Sequence, residues 1–163
     1  MTLATATASR TTAFSAGLPN PISDFRPYTE LKVSSLKESV AFYSVLFNAP
    51  PALHEKGLAL FDLEDPQLSL VLQEDSEAIG RDGHFGVQFK YTVDVDALHD
   101  RLKQHGYKID FEETEASCCF SVANKVWVSD PDRNLWELYV LLEENATEVR
   151  CGSSCACESS GCG

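Results

Sequence analysis

No stretch of this 163-residue sequence approaches the roughly 18 consecutive apolar residues of a membrane-spanning helix. No membrane partner is therefore expected. Basic residues are scarce: 13 Lys and Arg stand against 25 Asp and Glu, a formal charge of −12. A nucleic-acid partner needs a basic face, so that class is excluded too. The first 24 residues, "MTLATATASRTTAFSAGLPNPISD", lack the apolar core of a secretory signal. They carry one Arg and no acid before Asp24, and read as a disordered N-terminal extension, with an organelle transit peptide as the alternative. Also missing is a spread of cysteines through the chain. Two are adjacent, Cys118 and Cys119, and the other four fall in the terminal "CGSSCACESSGCG". A secreted disulfide framework would distribute them, so a reduced, cytoplasmic setting is expected and the sequon at Asn145 is read as idle.

What is present is a chain with 44% apolar residues, long enough to bury one real core. "YTELKV", from Tyr28, has strand character. "SLKESVAFYSVLF" then reads as a helix: Ser35 and Glu38 make a capping box, and Leu36, Val40, Tyr43 and Phe47 recur on one face. "LALFDL" and "LSLVLQ" are strands joined by a turn at "EDPQ". The second half repeats the order. "HFGVQFKYTV" is a strand, "DVDALHDRLKQHG" a helix closed by Gly106, and "YKIDFEE", "NKVWVS" and "LWELYVLL" are strands. The class is α+β: two βαβββ modules, at about 25–75 and 83–143, in one domain spanning 25–143, followed by a flexible Cys-rich tail over 144–163. Aligned by alternation, His84–Phe89 overlies residues 28–33. If the modules bury their concave sides against each other, His84 and Glu137 converge in one cavity. An imidazole and a carboxylate there are two parts of a 2-His-1-carboxylate metal site. His54, His99 and His105 read as structural or solvent-facing.

Adjacent cysteines on a regular strand point to opposite faces and cannot grip one atom. "EETEASCC" is polar and breaks strand alternation, which predicts a loop over 116–120 where both sulfurs can turn one way. Such a pair suits a soft, thiophilic centre. Lys125 would raise the thiolate fraction if it lay close, but reads more simply as a solvated surface lysine. "DPDRNLWE" mimics a calcium loop yet lacks the Gly at the sixth place and the acid at the twelfth. Asp130 to Arg133 is instead a turn.

These motifs together, "HFGVQF", "CCFSVANKVWVSDPDRNLWELY" and the cysteine-rich tail, resemble the vicinal oxygen chelate (glyoxalase/bleomycin resistance/dioxygenase) superfamily. Within it they are most similar to the ArsI-type carbon–arsenic lyases and the related cadmium-induced proteins. The resemblance covers residues 26–142 and the tail. It implies a curled sheet around a metal cavity that holds Fe(II) on a His or Gln of the first strand, a His opening the second module and a Glu of the last strand. His84 and Glu137 match the latter two. Tyr28 stands at the first place, a departure, because a phenol must lose a proton of pKa about 10 to bind iron. Glu30, two residues on, is the alternative. The resemblance further implies that Cys118 and Cys119 bind a trivalent organoarsenical, such as methylarsenite or an aromatic arsenical. Its carbon–arsenic bond would be broken with O2 to give arsenite. Cys151, Cys155, Cys157 and Cys162 would be auxiliary thiols. The family usually has Gly where Arg133 stands. Its modules pair within or between chains, so a homodimer is compatible with it. Two other readings remain: a non-catalytic arsenic- or cadmium-binding resistance protein with a degenerate iron site, and a glyoxalase- or dioxygenase-like enzyme, which leaves the adjacent cysteines unexplained.

Overall fold

The computed structural model describes residues 26–78, 83–118 and 121–144. The N-terminal extension, Cys119 and the four tail cysteines lie outside them. Two modules follow in sequence, β1 (Tyr28–Val33), α1 (Leu36–Leu46), β2 (Leu53–Glu55), β3 (Leu58–Glu64) and β4 (Gln67–Glu74), then β5 (His84–Phe89), α2 (Thr92–Gln104), β6 (Phe111–Cys118), β7 (Ser121–Ser129) and β8 (Leu135–Glu144). Each builds a four-stranded mixed sheet, in orders β1-β4-β3-β2 and β5-β8-β7-β6. Both pair first and last strand in parallel and the rest antiparallel. The α+β class and the βαβββ repeat stand as read.

Local chemistry accounts for the elements. Ser35 is the N-cap of α1, its Oγ accepting the Glu38 N–H at 3.4 Å. Past the end of α1, Asn48 takes φ 52° and Gly57 takes φ 80° in the turn before β3. Three boundaries differ from the reading. Strand β2 is only three residues long, too short to show alternation. Helix α2 begins at Thr92, so β5 stops at Phe89. Residues 107–110 are irregular, and β6 starts at Phe111.

Alternation selects what each sheet buries. Phe61, Leu70, Leu72, Val126, Val128, Trp136, Leu138 and Val140 join Phe42, Tyr43, Leu98 and Leu102 of the helices in one core. Edge-to-face and stacked rings run across it from Phe61 through Phe47 to Trp136 and Phe85. The modules thus share a core on their helix-bearing sides. This corrects the expectation that they bury their concave sides against each other within one chain. Among the described residues no ladder joins the two sheets.

A buried polar clasp ties the modules together. Asp130 accepts the Tyr43 O–H at 2.6 Å, the N–H groups of Asp132 and Asn134 at 2.9 and 2.7 Å, and Asn134 Nδ2 at 2.8 Å. The Trp136 indole donates to the Tyr43 oxygen at 3.2 Å. Asp132 accepts the Ser34 N–H at 3.0 Å, beside the start of α1. The calcium-like spacing of Asp130, Asp132 and Asn134 therefore serves a turn that docks on the first module. Arg133 in that turn has φ 68°, a conformation glycine adopts without penalty. From the second module, Arg101 Nε donates to the Val45 carbonyl at 2.8 Å, satisfying the end of α1.

Burial, and next the neighbouring Asp130 carboxylate, push the Tyr43 phenol above its ordinary range. The folded state holds this proton more tightly than the unfolded chain, whose phenol titrates near pH 10. The contribution is complete below about pH 10 and is lost as pH rises above it, toward the folded value. Thermal melts from about pH 8 to about pH 11 should show a falling midpoint that flattens in Tyr43→Phe.

Candidate metal centre and thiol site

The face of each sheet turned away from the core carries the predicted site residues. On the second module, β5 and β8 pair with Gly86 opposite Glu137, which sets His84 and Glu137 on one face. The His84 Nε2 lies 3.3 Å from Glu137 Oε2. The other carboxylate oxygen, Oε1, sits 2.9 Å from Lys125 Nζ. Lys125 and Glu137 are 13% and 16% exposed in their side chains, so Lys125 is not the solvated surface lysine that its sequence suggests. Its ammonium nitrogen lies over the Trp127 ring, 5.8 Å from the centroid. Trp127 packs against His84, centroids 5.1 Å apart, stacks on Phe111 and donates its indole N–H to Glu113 Oε2 at 3.0 Å. Sequence reasoning missed both Lys125 and Trp127 as neighbours of the site. Their equal parity on β7, beside Glu137, was the available signal.

On the first module the matching places hold different chemistry. Tyr28 sits where His84 does, opening the leading strand. Val71, opposite Glu30, takes the place of Glu137. Tyr28 is 62% exposed and donates to Glu30 Oε2 at 3.3 Å. Partial desolvation, then this hydrogen bond, raise its phenol above the ordinary value, which makes a phenolate ligand costlier. Asp62, reached through Ser69 in the same row, is engaged by Arg26 and Ser69. Those partners hold its carboxyl below the usual range, the Ser69 hydroxyl foremost. Tyr28 and Glu30 thus occupy the outer face of one sheet, and His84 and Glu137 that of the other.

Two of the three residues expected to hold Fe(II) accordingly lie together. His84 and Glu137 have the right donor chemistry and spacing, and Lys125 leaves Glu137 Oε2 directed to His84. Among the described residues no group of three His, Cys, Asp or Glu could hold a metal. Of the three expected ligands, the described residues place two in contact.

The predicted loop over 116–120 is partly overturned. Residues 116–118 belong to β6, with Ala116 opposite Ala123 and Cys118 opposite Ser121. Among the described residues β6 is an edge strand with β7 as its one neighbour, so polar residues are tolerated on both its faces and alternation is not required. Cys119 and Phe120, which connect β6 to β7, lie outside the described residues. The histidines set aside prove structural or exposed. His99 Nε2 contacts Glu112 Oε1 at 3.0 Å, and His54 and His105 are at the surface.

Residues 26–138 match the family model of the Glyoxalase/Bleomycin resistance protein/Dioxygenase superfamily, and the chain belongs to that superfamily. Two relatives narrow the comparison. A "Trivalent organoarsenical cleaving enzyme" of Bacillus sp. (strain MD1) is 38% identical over 121 residues, covering 72% of this chain and 75% of that protein. "Cadmium-induced protein CadI" of Mycobacterium tuberculosis is 38% identical over 117 residues, covering 72% and 76%. The lactoylglutathione lyase of Agrobacterium tumefaciens superposes with a TM-score of 0.59 at 20% identity, covering 74% of this chain and 95% of that one. That likeness concerns the fold alone. No helix among the described residues is long and apolar enough to cross a membrane.

Proposed function

We propose that the protein is an Fe(II)- and O2-dependent lyase that breaks the carbon–arsenic bond of trivalent organoarsenicals and releases arsenite. The observation that carries this is the His84–Glu137 pair at 3.3 Å, in a chain 38% identical to a named organoarsenical cleaving enzyme. Cys118 and Cys119 would hold the substrate. Two thiols displace the two hydroxyls of a trivalent arsenical as water and form two sulfur–arsenic bonds, soft ligands on a soft centre. His84 and Glu137 would hold iron, which when bound supplies the activation of dioxygen that the scission needs. Lys125 fixes one oxygen of Glu137, and Trp127 buttresses His84 and keeps water from its ring face.

The third ligand comes, in this reading, from Tyr28 or Glu30 of a second copy. Exposed Tyr28 and Leu53 on one outer face, and Phe111 on the other, give a homodimer apolar surface to cover. Anaerobic loading with Fe(II), then methylarsenite in air, tests the activity directly: arsenite should appear. Tyr28→Phe should lower iron content and remove any phenolate-to-Fe(III) absorption band, with Glu30→Ala nearly silent. The reverse pattern assigns Glu30. Both variants at wild-type iron content and turnover would sink the three-ligand arrangement. Mixed dimers of His84→Ala and Tyr28→Phe chains should recover one intact site if the ligands come from two chains.

One observation favours a second reading, a thiol-based arsenic or cadmium binder that does no chemistry. The Lys125 ammonium already neutralises Glu137, and Tyr28 and Glu30 lie on the other sheet's outer face. Wild-type protein that binds arsenical tightly yet retains no iron would select it.

A further inference from the structure

We propose that Asn124 is a positioning residue for the Cys118 backbone, acting through a β-bulge at Glu115. The inference rests on Cys118 and Cys119 being the arsenical-binding thiols. In the β6–β7 ladder Glu113 lies opposite Lys125, and Ala116 lies opposite Ala123, with a register shift between them. The chain advances three residues on β6 against two on β7. In a regular strand that odd step would move Ala116 to the opposite face. The bulge absorbs it and leaves Ala116 opposite Ala123 and Cys118 opposite Ser121 in the ladder.

The bulge is costly, and one side chain among the described residues engages it. Glu115 has φ 50°, a left-handed conformation that residues with a Cβ rarely adopt. Its N–H donates to Asn124 Oδ1 at 2.9 Å, a side-chain acceptor in place of a ladder carbonyl. Among the described residues the tip sequence itself selects this register only weakly. "EETEAS" is polar or small at every place, and a polar edge strand is prone to slip. Further back the register is pinned, since Phe111 stacks on Trp127 and Glu113 accepts the Trp127 indole N–H. A slip is therefore confined to the tip.

The two registers place the cysteines differently. With the bulge, Cys118 pairs with Ser121 and only Cys119 and Phe120 connect the strands. Without it, the Glu113–Lys125 register continues as Glu115 opposite Ala123 and Ser117 opposite Ser121, and Cys118 leaves the ladder. Asn124 thus decides whether the first thiol-bearing residue is anchored to the sheet that carries His84 and Glu137.

The test uses the full-length chain with Cys151, Cys155, Cys157 and Cys162 replaced by serine, so that tail thiols do not compete. Phenylarsine oxide is the thiol probe and Co(II) the metal probe, both followed by calorimetric titration. Asn124→Ala should weaken phenylarsine oxide about a hundredfold, the scale of losing one of two linked attachments. Asn124→Asp, which keeps the acceptor oxygen, should restore it. Glu115→Gly takes the left-handed conformation freely and should bind as wild type, whereas Glu115→Pro, with φ locked near about −65° and no N–H, should weaken binding as Asn124→Ala does. Co(II) affinity should be unchanged throughout. Asn124→Ala or Glu115→Pro at wild-type arsenical affinity overturns the proposal. Cys118→Ser separates the two levels. If it leaves phenylarsine oxide binding intact, the thiol reading itself fails. If it weakens binding while Asn124→Ala does not, only the role of Asn124 fails.

Discussion

Glu137→Ala is expected to abolish metal binding and turnover while sparing arsenical binding by the thiol pair. Glu137 Oε2 lies 3.3 Å from His84 Nε2, and among the described residues no third His, Cys, Asp or Glu joins the pair. Outer-shell changes alone cost about 10- to 100-fold in metal affinity, so loss of a ligand should exceed about a hundredfold. The fold should survive, because Lys125 can extend its stem and return its charge to water. Parallel titrations with Co(II) and phenylarsine oxide would show one affinity collapsing and the other holding. Full metal content in Glu137→Ala would remove it from the site.

The second large effect concerns stability. Asp130→Ala should bring the protein close to unfolding. Asp130 is 4% exposed and accepts from four donors: the Tyr43 hydroxyl, the backbone of Asp132 and Asn134, and the Asn134 amide. Each buried donor left unpaired costs about 1–3 kcal/mol. Because neighbouring losses do not add, about 4 kcal/mol in total is expected, a large part of the about 5–15 kcal/mol that stabilises a domain. Tyr43→Phe removes one of these bonds and orphans the Trp136 indole N–H, so about 1–2 kcal/mol is expected there. Urea unfolding of the three proteins would rank them. Asp130→Ala within about 1 kcal/mol of wild type would mean that the clasp does not hold the modules together.

The two modules, the helix cap at Ser35 and the strands at "LALFDL", "LSLVLQ" and "LWELYVLL" were legible because each is a local pattern. A period of two or of 3.6 residues, closed by Pro or Gly, needs no knowledge of the partner. The pairing of His84 with Glu137 was legible for a related reason. Parity on two strands of one repeat fixes their face once the strands are taken as neighbours. Strand β6 was not legible, since an edge strand with a bulge loses both alternation and register, and polar residues there pay no penalty.

What the linear pattern could not decide is which side of each sheet meets the other module. Both faces of β1 and β5 carry residues that can be buried or solvated, and alternation reads the same whichever face turns inward. The choice belongs to the core. Tyr43, Phe47 and Trp136 interlock across the modules, and Asp130 closes the contact with hydrogen bonds over 87 residues of chain. That packing sends Tyr28 and Glu30 to one outer face and His84 and Glu137 to another. It also brings Lys125 against Glu137, a contact between strands β7 and β8 that no spacing along the chain announces. The chemistry-bearing residue types were thus written in the sequence. Their grouping into a His84–Glu137 contact, a Lys125–Glu137 ion pair and a separate Tyr28–Glu30 contact was decided by burial, because only the folded core determines which faces are left for function.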